Sequence, residues 1–505
     1  MTENKPNGAV TYQTPGHDYF EKRGLKRHAR VWSLWALGVG AVISGQFSGW
    51  NLGLAAGGWG GMLVASLLIA VMYWCLCFSL AELSPALPHT GGAYSFARST
   101  LGPFGGFVTG LAESIEYIMT PAVIAFFMGS YLTGICETPV SWTPLWWLAS
   151  YLVFGALNYG GVELSFKVSV IVTLVALAIL AFFCLSSIPV LDFSRWALNI
   201  ARAPDGRPSE LVQGHGAFLP FGLQGVFAAL PFAVWLFLGI EELPLAAEEA
   251  HEPEKDMPRG LLFGMATLLV FALAVMFCNA AIGVEHSTVL RGAFSLAQSS
   301  EPLLDGFRTL YGTRAARLLS LCAVAGLAAS FHTIMFAYSR QIYSLARAGY
   351  YPPLLSLTHG VRKTPYAALL AGGVFGFGVL LAVWWSRGPA EGSGLIGGSL
   401  LNMAVFGAMI SYAFQALSFI LLRIQRPGLA RPYRSPLGIP GAVLTIGLAL
   451  WTMVYQLSDP AYVKGAYAAL VWYGAGIAYF ALFGRHRLIL SPEEQFALSG
   501  DDRAR

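Results

Sequence analysis

Two pairs of glutamates set the chemistry this chain could perform. Glu113 and Glu116, in GLAESIEYIM, stand three residues apart and share a helix face, with Tyr117 beside them. Glu241 and Glu242 follow Gly239 in FLGIEELPLAAEE. Both pairs lie inside apolar stretches. A carboxylate at membrane depth costs about 3 kcal/mol or more unless it faces a cavity or a partner. Carboxylates one turn apart also repel, which makes Glu113 and Glu116 a candidate proton carrier; the alternative is that one of them caps or bridges a neighbouring helix. His332, in ASFHTIMF, is the one histidine deep in an apolar run. Histidine as a residue type titrates near neutral pH, so this one is either a proton-coupling group or a hydrogen-bonded packing residue. No Ser/His/Asp arrangement, metal-ligand spacing or phosphate-binding glycine loop is present, so we expect no covalent chemistry, no cofactor and no metal. Cys75 and Cys77 point to different helix faces, and no structural disulfide is expected.

The elements that must hold these residues are membrane helices. The chain has 505 residues, 56% of them hydrophobic and only 11% charged, with mean hydropathy +0.59. An ordinary soluble domain carries about 25% charged residues. Twelve apolar runs approach or exceed the roughly 20 residues a bilayer requires, and the alternation of a membrane barrel is absent. The expected architecture is all-α and integral to the membrane. It has a tail at 1–30, five helices in 31–189, a loop at 190–217, five helices in 218–423, two more with a preceding loop in 424–484, and a tail at 485–505. Most of the 31 Lys and Arg fall in alternate loops and in the two tails. That places both termini in the cytoplasm and 190–217 outside. The net charge of +4 therefore reports topology, not a nucleic-acid partner. The first 30 residues lack the apolar core of a cleavable signal. No soluble domain or Arg-periodic voltage-sensing helix fits anywhere.

Two of the runs are poor helices. The first contains GVGAVISGQFSGWNLGL, with five glycines and Ser44, Gln46, Ser48 and Asn51 among them. The sixth has Pro231, then Gly239, then the glutamate pair. Glycine alone is explained by close helix packing, but Gln46 and the glutamates are not. Irregular backbone at membrane depth survives where it is buried or lines a cavity. Interrupted helices at matching positions of two halves point to a transporter site. Here the offset is five helices, so helices 1–5 and 6–10 form a five-plus-five inverted repeat.

Four segments carry a family resemblance. They are the glycine-broken first helix, PALPHTGGAYSFARSTLGPFGGFVTGLAESIEY at 85–117, FLGIEELPLAAEEAHEPEKDMPRG at 237–260, and YSRQIYSLARAGYYP at 338–352. Their order and spacing resemble the amino acid–polyamine–organocation transporter superfamily, which implies the leucine-transporter-type fold with helices 1 and 6 broken. Within it, ISGQFSGWN, LGIEELPLAAEE and the tail LSPEEQFALS at 490–499 look most like the ethanolamine permeases. The resemblance has departures. Amino acid carriers of the superfamily have G-S-G at the helix 1 break, a cradle for a carboxylate. Here Ser44, Gly45 and Gln46 align, which favours a substrate without a carboxylate. Some proton-coupled relatives carry a lysine in helix 5; TLVALAIL, from Thr173, has none.

The resemblance implies import of ethanolamine or a close small amine across a bacterial inner membrane by alternating access, driven by a proton or by the membrane potential. An ammonium ion needs a carboxylate, an aromatic face and one partner for its hydroxyl. Glu116, with Glu113, would bind the ammonium. Phe47, Tyr117, Trp235 and Phe237 would supply the aromatic face, and Ser44, Gly45 and Gln46 the hydroxyl partner. Glu241 and Glu242, beside Gly239 at the second half of helix 6, would bind, gate or sense a proton. A helix N-terminus favours carboxylates there even without a substrate. Glu248, Glu249, Glu252, Lys255 and Arg259 after helix 6, with Arg340 and Arg347 at the end of helix 8, would form an inner gate of ion pairs. The alternative is an ordinary solvated loop. The rival functions are an amino acid or polyamine permease, a cation channel and a transport-silent nutrient sensor. The expected partners are the amine, the bilayer and a coupling proton; the oligomeric state is open.

Overall fold

A computed structural model describes residues 10–13, 19–23, 25, 27–88, 91–198, 201–202, 208–209, 215–286, 292–387, 393–458, 460 and 463–490. Residues 491–499 of the LSPEEQFALS motif lie outside the described residues. Among those described, eleven helices are long and apolar enough to cross a membrane, and Val31–Phe47 is a shorter twelfth. In lipid every backbone N–H and C=O must be satisfied within the chain, and these runs do so as helices. An antiparallel pairing of Ala201–Arg202 with Pro208–Ser209 in the loop before the sixth crossing is a small exception to the all-helical build.

The first crossing is broken by a hydroxyl from the eighth. Val31–Val42 and Ser44–Phe47 are separate helical pieces. The Ser330 hydroxyl donates to the Gly40 carbonyl at 2.6 Å and accepts from the Ser44 N–H at 2.8 Å. It stands where the i→i−4 bond between those residues would be, a recognised cause of a helix kink. The chain turns again at Ser48, which is extended, and at Gly49, whose φ of 95° favours glycine. Ser44, Gly45 and Gln46 themselves are therefore helical, and the irregular backbone lies on either side of them. The second crossing follows Gly58 (φ 67°) within Gly53–Ala86.

The sixth crossing breaks where its sequence indicates. Gly222–Trp235 ends, Leu236–Leu238 turn, and Gly239 (φ 112°) starts Ile240–Glu249. This second half is a 3-10 helix, not a regular α-helix. Pro244 within it has no N–H to donate.

The third crossing, Ala93–Cys136, kinks at Gly102 (φ 77°), so Ala93–Leu101 is a separate short helix. The fourth and fifth crossings are Thr143–Tyr159 and Val162–Ser187, and the seventh is Pro253–Ala280. The eighth, within Pro302–Arg347, kinks at Gly312. Tyr366–Arg387, Ser393–Gln425, Gly438–Ser458 and Val463–Leu482 complete the twelve.

The described segments near the two ends of the chain meet on one face, called here the terminal face. Thr11 N–H donates to the Arg485 carbonyl (2.8 Å) and Gln13 N–H to that of Leu488 (2.7 Å). His28 and Ala29 N–H both donate to the Glu249 carbonyl, and the Tyr19 hydroxyl to that of Arg347.

Candidate functional site

The two broken crossings are laced together at their breaks. Gln46 Nε2 donates to the Leu236 carbonyl at 3.0 Å, and Trp235 Nε1 donates to the Ser48 carbonyl at 2.9 Å. Tyr131 Oη donates to the Phe47 carbonyl at 2.9 Å. Interrupted helices leave carbonyls unpaired, and side chains of neighbouring crossings satisfy these three. The approach is close enough that a Cβ at Gly45 would overlap the Trp235 carbonyl oxygen. Ser44 is held through its N–H by Ser330, whereas Gln46 Oε1 is buried with no hydrogen-bond partner.

Beside the breaks lies a cluster of four buried carboxylates. Glu113, Glu116, Glu241 and Glu242 are each at most 2% exposed. None has a Lys or Arg ion partner among the described residues. Their surroundings differ. The Tyr117 hydroxyl donates to Glu113 Oε1 at 3.5 Å, and Glu113 Oε2 is buried without a hydrogen-bond partner. Glu116 accepts from Tyr412 Oη at 3.1 Å, and Tyr412 Oη lies 3.0 Å from Tyr73 Oη. Glu116 and Glu241 are neighbours within the cluster. Glu241 Oε2 also accepts from the Gly239 N–H at 3.1 Å, capping the second half of the sixth crossing. Both oxygens of Glu242 are buried without a hydrogen-bond partner.

Aromatic rings wall the cluster. Phe237 meets Tyr73 at a tilt, ring centres 5.6 Å apart, and Tyr73 meets Tyr412 edge-on at 5.4 Å; Tyr117 is fully buried. Phe47 instead packs tightly over Gly326 of the eighth crossing, and Trp235 bridges the break through its indole N–H.

The structure takes His332 away from the carboxylates. Its Nε2 faces the Ser165 carbonyl at 3.2 Å and its Nδ1 the Asn158 amide nitrogen at 3.0 Å. A carbonyl only accepts and an amide NH₂ only donates, so both ring nitrogens are occupied, with the proton on Nε2.

The charged residues expected at the inner gate divide into two groups. Arg340 Nη2 pairs with Glu249 Oε1 at 3.1 Å, both side chains 1% exposed, and Arg347 Nη1 pairs with Glu248 Oε2 at 3.2 Å. These pairs tie the end of the sixth crossing to the end of the eighth on the terminal face. Lys255 does not join them: it pairs with Glu252 one turn away at 2.8 Å, on an exposed surface. Arg259 is likewise exposed. The turn begun at Pro253 carries both residues outward.

Three contributors are absent from the sequence reading. Tyr73 and Tyr412 sit in long apolar runs where tyrosine ordinarily packs, and Ser330 resembles any small helix-packing residue. Their roles depend on which crossings become neighbours. Thr173, in the stretch where some relatives carry a lysine, donates its hydroxyl to the Ala36 carbonyl of the first crossing at 3.1 Å.

Twelve crossings with the first and sixth broken opposite one another define a multi-pass membrane transporter of the leucine-transporter-type fold. The chain belongs to the amino acid permease family, whose model matches residues 30–477. It is 28% identical over 428 residues to an uncharacterized transporter of Rhizobium meliloti, covering 82% of this chain and 83% of that one. It is 24% identical over 487 residues to the branched-chain amino acid permease BcaP of Bacillus subtilis (92% and 94% covered). It is 23% identical over 495 residues to the methylthioribose transporter of the same organism (93% and 96%). Among solved structures, a manganese transporter of Eremococcus coleocola superposes with TM-score 0.55 at 13% identity, covering 96% of this chain and 99% of that one; this likeness is one of fold.

Proposed function

We propose that this permease imports a small organic ammonium, ethanolamine or a close amine, by alternating access, with the terminal face toward the cytoplasm of a bacterium. One observation carries the reading: four carboxylates are buried beside both helix breaks with no Lys or Arg partner among the described residues. Buried carboxylates without a cation are expensive, and an incoming ammonium supplies one. Glu116 and Glu242 are its nearest candidates for ligands, within a wall of Tyr117, Tyr73, Tyr412 and Phe237. Glu116 and Glu241, neighbours in the cluster, suit a coupling proton. Glu113 Oε1 accepts from the Tyr117 hydroxyl, so in this reading it positions Tyr117. The membrane potential adds about 2.3 kcal/mol per 100 mV for a monovalent cation moving inward. The Arg340–Glu249 and Arg347–Glu248 pairs form the inner gate.

A second reading, an amino acid as substrate, draws on Gln46. Its amide is tied to the Leu236 carbonyl, which weakens the argument that it obstructs a carboxylate cradle.

The test is uptake of radiolabelled ethanolamine into proteoliposomes, with and without an inward proton gradient, against excess unlabelled ethanolamine, choline, alanine and putrescine. Saturable uptake competed by ethanolamine and not by alanine, and lost in Glu116→Gln, supports the ammonium reading. Entry of radiolabelled alanine in the same vesicles with no ethanolamine entry replaces it with the amino acid reading. Flux that neither saturates nor shows counterflow indicates a channel.

A further inference from the structure

We propose that a groove on the membrane-facing side of the fourth, eighth and ninth crossings binds one anionic glycerophospholipid. The groove encloses about 400 Å³ and is lined by residues including Tyr151, Gly155, Tyr159, Met335, Tyr366 and Gly373. Its flanks are Leu152 (64% exposed) and Leu370 (68% exposed), so it opens sideways, where the bilayer lies. An apolar groove that opens into lipid takes an occupant from lipid. One hydroxyl in its wall, that of Tyr151, is buried without a hydrogen-bond partner.

The occupant's headgroup follows from charge. The end of the groove nearest the terminal face is Tyr159, and the Arg362 guanidinium lies 4.9 Å from its ring centre. Lys363 is next in sequence, and the same loop reaches the N-terminal segment, where the Thr358 hydroxyl donates to the Lys22 carbonyl at 2.9 Å. Arginine and lysine at the interface end of an acyl-sized groove match a phosphodiester without a compensating choline. The groove also touches a working helix. Met335 lies midway between Ser330, which breaks the first crossing, and Arg340, which holds the terminal-face pair, so an acyl chain packed there braces the helix that carries both.

Purified, delipidated protein in detergent is examined by native mass spectrometry with phosphatidylglycerol or phosphatidylcholine of the same chains. Wild type should retain phosphatidylglycerol about 25-fold more tightly, since Arg362 and Lys363 each contribute about fivefold. Arg362→Gln should lose about fivefold of that preference while leaving phosphatidylcholine unchanged. Gly155→Leu should weaken both lipids, because a Cβ there meets only Met335 Cε, at 3.8 Å, and the rest of the leucine would fill the groove. Equal retention of the two lipids by wild type, or no response to Arg362→Gln, overturns the proposal and leaves ordinary annular lipid. Arg362 is exposed, so its variant carries the test even if Gly155→Leu fails to fold. The readout is lipid binding, so its failure leaves the ammonium reading untouched.

Discussion

Replacing Glu249 with glutamine removes a charge from the Arg340 pair and changes little else in shape. Both side chains are 1% exposed, with Nη2 and Oε1 3.1 Å apart. Arg340 cannot relocate easily: its Nη1 donates to Ser339 Oγ at 3.0 Å and its guanidinium lies 3.5 Å from the Phe336 ring centre. Removing one partner of a buried pair costs about 3–5 kcal/mol, because the remaining charge is left uncompensated. Glutamine keeps an acceptor, which places the loss near about 3 kcal/mol, or about 100-fold in an equilibrium constant. The pair joins the sixth crossing to the eighth, so the loss falls on the arrangement with the terminal face closed. Hydrogen exchange across Ile240–Glu249 should accelerate by up to about 100-fold in Glu249→Gln. The double variant Glu249→Leu/Arg340→Met, which buries no charge, should recover most of the protection. If Glu249→Gln keeps wild-type protection, desolvation cancels the attraction and this pair is not what holds the face shut.

Three further outcomes follow from the same geometry. Ser330→Ala leaves the Gly40 carbonyl and Ser44 N–H without their bridge; at about 1–3 kcal/mol for each buried unsatisfied group, the melting temperature should fall by several degrees, and no fall would mean helix 1 closes its own ladder. Gly45→Ala places a methyl against the Trp235 carbonyl oxygen, and uptake should drop at least about tenfold with the expression level retained; wild-type uptake would show that the breaks are not tightly apposed. On the opposite face, His286 pairs with Asp305 at 2.9 Å, and Arg308 bridges Asp305 and Glu301. Burial, then repulsion from Asp305, pushes the Glu301 carboxyl up to about 7, and the hydrogen bond to Asp305 raises His286. Both groups have folded values above their ordinary ones, so their stabilisation is present at acid pH. That of Glu301 is lost as pH climbs through about 7, and that of His286 as pH passes its raised value. The stability advantage of wild type over a Glu301→Gln/His286→Gln variant should therefore shrink between about pH 5 and pH 8; a difference flat with pH would refute this.

Much of this molecule was legible in its residues. Hydropathy alone dictates membrane helices, because lipid offers backbone groups no other partner. Glycine at 239 beside a glutamate pair marked the break in the sixth crossing, since a positive φ there needs no more than the local residue. The first break shows where local signals end. Its glycines announced irregularity, but the kink beside Ser44 is made by Ser330, almost three hundred positions away. Tertiary structure also separated four glutamates that look alike in sequence. Glu113 finds only the nearby Tyr117, Glu116 finds Tyr412 of a distant crossing, Glu241 finds the Gly239 N–H, and Glu242 finds no hydrogen-bond partner. It sent Lys255 to solvent and Arg340 to a buried glutamate, although both occur in the same kind of charged stretch. Residue type decides what a side chain can donate, accept or repel; only the packing of distant crossings decides which partner it meets.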